Sequence, residues 1–471
     1  MDSSEENHFN EASIWSEVKT SLSGTDKDFT KGSIGRAILV LSIPMVLEML
    51  MESIFAIVDI IFVSKLGADA IATVGFTESL ITLIYAIAIG FAMATTAVVA
   101  RRFGEKDFDT ASITAVQAIL VALTISVIIA VLGGSFSPLL LSLMGAEEQL
   151  ISKFSVYTTI MFSTNFVIML IFVINAVFRG AGDANIAMRT LVIANGINII
   201  LDPLLIFGLW VFPEMGIAGA AVATSIGRGI GVGYQCYKLF DGKTRINLLK
   251  RHLVLRWDIM FNLIKVSLGG IFQFIIATSS WVFLVKIIAV FGSVSVAGYT
   301  VAVRILVFSI LPSWGMSNAA ATLVGQNLGA DQPERAEKST WIAAFANMVF
   351  IGLVSILFFT NAEFLIALIS KDPAIIEIGG KCLRIMSYGY LAYAFGMVII
   401  QAFNGAGDTL TPTLINLVCF WIIEIPLAYL LAMKFGFAEE GVFYSIVISE
   451  TLLGIIGFIL FKRGKWKTIK V

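Results

Sequence analysis

Histidine and cysteine are almost missing: the 471 residues include two of the first and three of the second. His8 and His252 both lie outside the apolar runs, so no imidazole can carry protons within them. Cys236, Cys382 and Cys419 stand far apart, with no CxxC and no Cys/His cluster, which excludes a disulfide framework and a zinc site. Charge is scarce at 14% of residues and nearly balanced at −1, leaving no basic field for a nucleic-acid partner. There is no HExxH, no GxSxG and no histidine inside an apolar run, so nothing points to an enzyme. The first thirty or so residues lack the short apolar core and small-residue site of a cleaved signal; they read as a polar cytosolic tail.

Apolar sequence fills the rest. Hydrophobic residues make up 58% of the chain and the mean hydropathy is +0.91, which a soluble protein of this size could not carry. The chain reads as an all-α polytopic membrane protein. A bilayer-spanning helix needs about 20 mostly apolar residues. Such windows fall near 37–63, 74–100, 112–133, 156–178, 189–211, 217–239, 260–288, 297–322, 340–360, 385–404, 411–433 and 440–461, and predict twelve spans. Loops on one side hold only Lys65, Lys153, Lys371, Lys381, Arg384 and Lys434. The other side collects Arg101, Arg102, Lys106, Arg179, Arg189, the basic run from Lys238 to Lys265, Arg335, Lys338 and the tail lysines, which places both termini in the cytosol.

The longest inner connection, DGKTRINLLKRHLVLRWD, divides the spans six and six. The expected organisation is a tail (1–33), an N-lobe (34–240), a cytosolic linker (241–258), a C-lobe (259–462) and a second tail (463–471). The halves read as copies. Gly67 and Gly292, Gly104 and Gly329, and Asp183 and Asp408 sit in matching motifs, each pair separated by 225 residues. An even number of spans per half makes the repeat parallel, giving two six-helix lobes with a central cleft.

Intramembrane carboxylates carry the functional signal, since each costs about 2.5 to 3.5 kcal/mol to insert at mid-helix. Glu48, Glu52 and Asp59 in span 1 fall within roughly 40° of one another on a helical wheel and form one stripe. That stripe should face a protein cleft. In span 5, Asn195, Asn198 and Asp202 share a face, and Pro203 predicts a bend. Carboxylate and amide oxygens suit a hard monovalent cation such as Na+ or a proton, whereas a transition metal would call for His or Cys. Two carboxylates in one low-dielectric site cannot both hold charge cheaply, which also fits a proton carrier. Asn175 and Thr224 are candidates to complete the lining. In the second half, Glu48 meets Gln273 and Asp59 meets Leu284 at the same offset; Glu424 is read as the one deep acid, with Arg304 as a conceivable partner. Coupling is therefore expected in the first lobe.

Blander readings stand beside these. Asp59 and Asp202 also read as interhelical hydrogen-bonding groups, and Glu48 and Glu52 as partners of backbone groups or the lining of a wet vestibule. The two GAGD stretches read as tight turns with the Asp capping the next helix, and GRGIGVG as close helix packing.

VDIIFVSKLGADAIATVG, VFRGAGD, NIILDPLLIFG with GIAGAAVAT, and the echo FNGAGDTLTPT resemble the multidrug and toxic compound extrusion (MATE) transporters over roughly residues 33 to 462. The resemblance is to the DinF-like prokaryotic branch. It implies a plasma-membrane antiporter, acting as a monomer among lipid without a cofactor, that exports organic and often cationic molecules in exchange for Na+ or H+. Carried over, the family's ion site matches Asp59, Asn198, Asp202 and Thr224. The substrate pocket matches Asn175, with Glu48, Glu52, Gln273 and Glu424 as further candidates. Gln273 replaces a span 7 glutamate of other branches, and WVFPEM (210–215) lengthens the turn before Thr224. The rival reading is a lipid-linked precursor flippase, which calls for a strongly cationic cleft where this stripe is acidic; a channel or receptor sits poorly with a six-plus-six plan.

Overall fold

The computed structural model describes residues 14–24 and 28–471, so His8 and Lys27 lie outside the described residues. Every regular element among them is helical. After a short helix, Ile14–Ser23, twelve spans follow: Ile34–Ser64 (span 1), Ala68–Gly104 (2), Phe108–Ser135 (3), Glu148–Ala181 (4), Ala184–Phe207 (5), Ile217–Phe240 (6), Trp257–Ala289 (7), Ser293–Gly329 (8), Pro333–Ala367 (9), Pro373–Gly405 (10), Leu410–Lys434 (11) and Ala438–Lys462 (12). Ten of these are apolar and long enough to cross a bilayer, and spans 1 and 6, of 31 and 24 residues, bring the number to twelve. Most overrun their apolar windows because the ends are polar. Span 4 breaks at Thr164, and a small helix, Ser137–Leu143, precedes it. Span 5 runs unbroken through Pro203. Span 9 is interrupted at Asn361, and span 11 carries π-helical turns over Leu417–Glu424 and Leu430–Lys434.

Each lobe has its own core, around Phe91, Val98 and Ile174 in the first and Leu284, Tyr299 and Phe443 in the second. Exposed Val127, Val131, Leu353 and Ile356 clothe the outside, as lipid-facing side chains do. Without a hydrophobic drive between helices in lipid, close packing must come from small residues. A Cβ on Gly219 would meet the Leu205 carbonyl oxygen at 2.5 Å, and one on Gly227 the Ala194 carbonyl oxygen at 2.6 Å, so the glycines of span 6 bring it hard against span 5.

The lobes touch along a line of the same kind. Gly90 of span 2 meets Ile271 and Gly270 of span 7, Gly315 of span 8 meets Met45 of span 1, and Gly104 and Gly329 each leave no room for a Cβ against the other lobe. Gln326 also donates from Nε2 to the Gly180 carbonyl at 2.8 Å. These last contacts lie on the face covered by the segment just before span 1 and by the last residues of the chain: Arg335 donates to the carbonyls of Phe29 and Lys31, while Arg101 and Arg102 donate to those of Ile469 and Val471. The lobes are therefore closed together on this terminal face.

The duplicated GAGD turns diverge. Gly182 takes the left-handed conformation at φ 92° and Gly407 at φ 86°, as a sharp turn requires. Asp408 caps the next helix through Thr411, with its Oδ1 accepting from the backbone at 3.1 Å and its Oδ2 from the hydroxyl at 2.7 Å. Asp183 does not cap. Its Oδ2 accepts instead from the Arg245 backbone N–H at 2.8 Å and so ties the inter-lobe connection to the first lobe.

Candidate functional site

Between the lobes lies a cavity of about 480 Å³, walled mainly by spans 1, 2 and 4, with Thr224 and Arg228 from span 6 and Phe274, Leu311, Trp314, Asn318, Gln401 and Asn404 from the second lobe. Glu78 on its wall is 26 residues, roughly 39 Å of helix, from Gly104, so the cavity reaches well away from the closed terminal face. The stripe of span 1 does face it: Glu48, Glu52 and Asp59 all line the wall.

The two glutamates are not free acids. Glu48, 1% exposed, accepts at Oε1 from Arg179 Nη1 at 2.7 Å and from Asn175 Nδ2 at 3.0 Å; Gln235 in turn donates to Asn175 Oδ1 at 2.6 Å. Glu52 Oε1 accepts from Arg228 Nη2 at 2.9 Å, and that guanidinium lies 5.0 Å over the Phe55 ring. Two expectations are corrected here. Arg179 is no loop residue of the basic side but a buried cleft cation, and the stripe is not simply acidic, because two arginines answer two of its carboxylates. Arg228 lies in GRGIGVG, whose glycine spacing reads as close helix packing alone; a charge between two glycines inside a span costs too much to be idle and was the signal passed over. Glu78 is a further wall acid of that kind, within electrostatic reach of Arg304 across the cleft; Arg304 is thus not placed as a partner for Glu424.

Asp59 differs from its neighbours. It is 8% exposed, and its Oδ1 is buried with no hydrogen-bond partner. Behind it, Asn198 Nδ2 donates to Asp202 Oδ1 at 3.2 Å and to Thr224 Oγ1 at 3.3 Å, which joins spans 5 and 6. The inserted WVFPEM turn leaves this register intact, because Met215 N–H and Gly216 N–H bond back to the carbonyls of Leu205 and Ile206 at 2.9 and 3.1 Å. Asn198 Oδ1 and Asp202 Oδ2 are also buried without donors, and Asp202 feels the charge of Asp59. Asn195 fixes the approach of the two helices by donating to the Met51 carbonyl at 2.8 Å. The group thus presents several oxygen acceptors and too few protons, the chemistry of a hard cation or proton site.

The second lobe repeats the plan in neutral form. At the 225-residue offset Glu48 and Arg179 become Gln273 and Asn404. These also bond to each other, Gln273 Nε2 to Asn404 Oδ1 at 3.0 Å and Asn404 Nδ2 to Gln273 Oε1 at 3.2 Å. An ion pair in one lobe is an amide pair in the other. Asn404 lines the cavity, while Gln273 sits behind it. Glu424, expected at the pocket, is 2% exposed and off its wall, and it is not the only deep acid, since Glu450 of span 12 lies close by.

The family model described as MatE matches residues 44–204 and again 270–430, once in each half. The chain belongs to the MatE family. It is a multi-pass membrane transporter and not an enzyme. It is 25% identical over 437 residues to the probable multidrug resistance protein NorM of Thermotoga maritima, spanning 92% of this chain and 93% of that one. It is 26% identical over 442 residues to the FAD transporter of Shewanella oneidensis, spanning 91% and 95%. A solved outward-facing conformation of a multidrug resistance MATE family transporter of the MOP superfamily superposes with a TM-score of 0.87 at 26% identity, covering 92% of this chain and 96% of that one.

Proposed function

We propose that this MatE-family transporter is an antiporter of the plasma membrane that expels small organic, often cationic, molecules in exchange for Na+ or H+. It acts as a single copy with both termini in the cytosol, without a cofactor beyond the coupling ion. The observation that carries this reading is the set of buried, donor-less oxygens on Asp59, which lines the central cavity, and on Asn198 and Asp202, which do not. An ion bound there compensates the carboxylates and draws spans 1, 5 and 6 together; in its absence their repulsion favours another packing. Cargo and ion act on one another through their different affinities for the two packings, which is all that coupling requires.

The cavity supports the cargo class. Four carboxylates line it, of which Arg179 and Arg228 pair with two, leaving Asp59 and Glu78 without an ion pair in contact and free to attract a cationic head. Phe55, Tyr85, Phe172, Phe274 and Trp314 supply flat apolar surface for an aromatic body. This balance of charge does not favour the flippase reading, for which an excess of cations would be needed. The test is export of a fluorescent organic cation from vesicles under an imposed Na+ or pH gradient. Asp59→Asn and Asp202→Asn should each abolish gradient-driven export while leaving the fold intact; full export by both variants would overturn the assignment.

A further inference from the structure

We infer that the second lobe reads an uncharged feature of the cargo: Asn318 of span 8 donates a hydrogen bond to an acceptor, such as a carbonyl oxygen, on the end of the molecule away from its cationic head. The inference deepens the proposed export of organic cations and rests on that reading for the presence of the head.

The four acids of the central cavity, Glu48, Glu52, Asp59 and Glu78, all come from the first lobe. The polar side chains that the second lobe supplies to the same wall are amides, Asn318, Gln401 and Asn404. With Gln273 behind them they form one directed chain. Gln273 Nε2 lies 3.0 Å from the Thr409 carbonyl oxygen, which can only accept, and this fixes the nitrogen end of the first amide. Every later bond follows from it. Gln273 and Asn404 pair head to tail at 3.0 and 3.2 Å, Asn404 Nδ2 donates to Gln401 Oε1 at 2.8 Å, and Gln401 Nε2 donates to Asn318 Oδ1 at 3.0 Å. The last nitrogen, Asn318 Nδ2, has no acceptor among the described residues.

Gln273, Asn404 and Gln401 are buried, whereas Asn318 is partly exposed on the cavity wall. A chain anchored on backbone at one end thus delivers a donor at the other. Turning Asn318 alone would set its nitrogen against that of Gln401, so the free group stays a donor unless the whole chain reverses against the Thr409 carbonyl. The duplication marks the outer half of the chain as an addition. Gln273 and Asn404 answer to Glu48 and Arg179, but at the same offset Gln401 and Asn318 answer to Ala176 and Met93, which cannot continue it. Trp314 lies on the wall four residues before Asn318, on the same helical face. An aromatic body laid on that indole brings its substituent to the Asn318 amide. Asn318 is therefore the specificity residue, and Gln401, Asn404 and Gln273 position it.

Binding to purified full-length protein, with no gradient imposed, tests this by fluorescence titration with two probes. Both are naphthyl trimethylammonium salts; one carries an acetyl group at the far end of the rings and its twin an ethyl group. Wild type should bind the acetyl probe roughly two- to tenfold more tightly, the reach of one hydrogen bond between neutral groups. Asn318→Leu should bring the two affinities level. Gln401→Leu, which leaves the asparagine unheld, should lessen the preference. Asn318→Asp presents an acceptor in place of the donor and should reverse the preference, an outcome that a merely structural asparagine would not produce. Should Asn318→Leu not fold, Asn318→Asp, close to it in shape, decides alone. Equal binding of the two probes by wild type, or a preference for acetyl that survives in Asn318→Leu or Asn318→Asp, overturns the inference. A preference that stands in protein whose vesicles export under no gradient would sink the antiporter reading and leave this recognition intact.

Discussion

At the scale of single residues, the cleft separates charges that hold the wall together from charges left for traffic. Glu48 and Arg179 belong to the first kind: each is buried, and each is matched by the other. Arg179→Ala should strand Glu48 and lower stability by about 3 to 5 kcal/mol, whereas the paired change Glu48→Gln with Arg179→Asn, which copies the amide pair of the other lobe, should recover most of it. Thermal unfolding of the purified variants measures this, and a double variant no more stable than Arg179→Ala would refute the equivalence. The acids of span 1 were legible from the sequence because an acid among Phe, Ile and Val stands out and three on one stripe stand out further. Their partners were not. Arg179 sits beside a turn motif and passed for a loop cation, and Arg228, Glu78 and Glu450 each stand alone in a helix. Periodicity along one helix cannot show which residue of another helix it meets.

At the scale of helices, hydropathy placed all twelve spans but gave their ends poorly, because polar residues continue a helix beyond the bilayer as readily as apolar ones within it. The duplication was equally legible, and it foresaw the pairing of Glu48 with Gln273; that Arg179 and Asn404 complete the pairs needed coordinates. Pro203 leaves the helical run of span 5 continuous, while its counterpart in the second lobe carries π-helical turns that hydropathy does not signal. Glycine was the better guide to packing. A methyl on Gly227 would press on the Ala194 carbonyl and approach Asn198 Cβ to 3.1 Å. Gly227→Ala should therefore cost about 1 to 3 kcal/mol and displace Asn198 from between Asp202 and Thr224. The check is ion-dependent export in vesicles, expected to fall much further than protein yield; unchanged ion dependence would show that the amide tolerates the shift.

For the whole molecule, the decisive contact is the closed terminal face, where Gly104 and Gly329 each meet backbone of the opposite lobe. Gly104→Leu cannot fit there. The variant should rest with that face parted, so that a cysteine placed nearby is labelled by a membrane-impermeant reagent from the terminal side, and export should stop for want of the closed state. Labelling no faster than in the parent would mean that the lobes pivot elsewhere. The terminal face is one place where ion use and cargo must agree; span 6 is another. Thr224 touches the ion group and Arg228 the cleft acid Glu52, and four residues, about one turn, separate them. That turn is inherited as a unit. Under the proposed antiport, a lineage that reshapes that turn to accept new compounds also alters what drives their expulsion, so cargo range and choice of gradient change together.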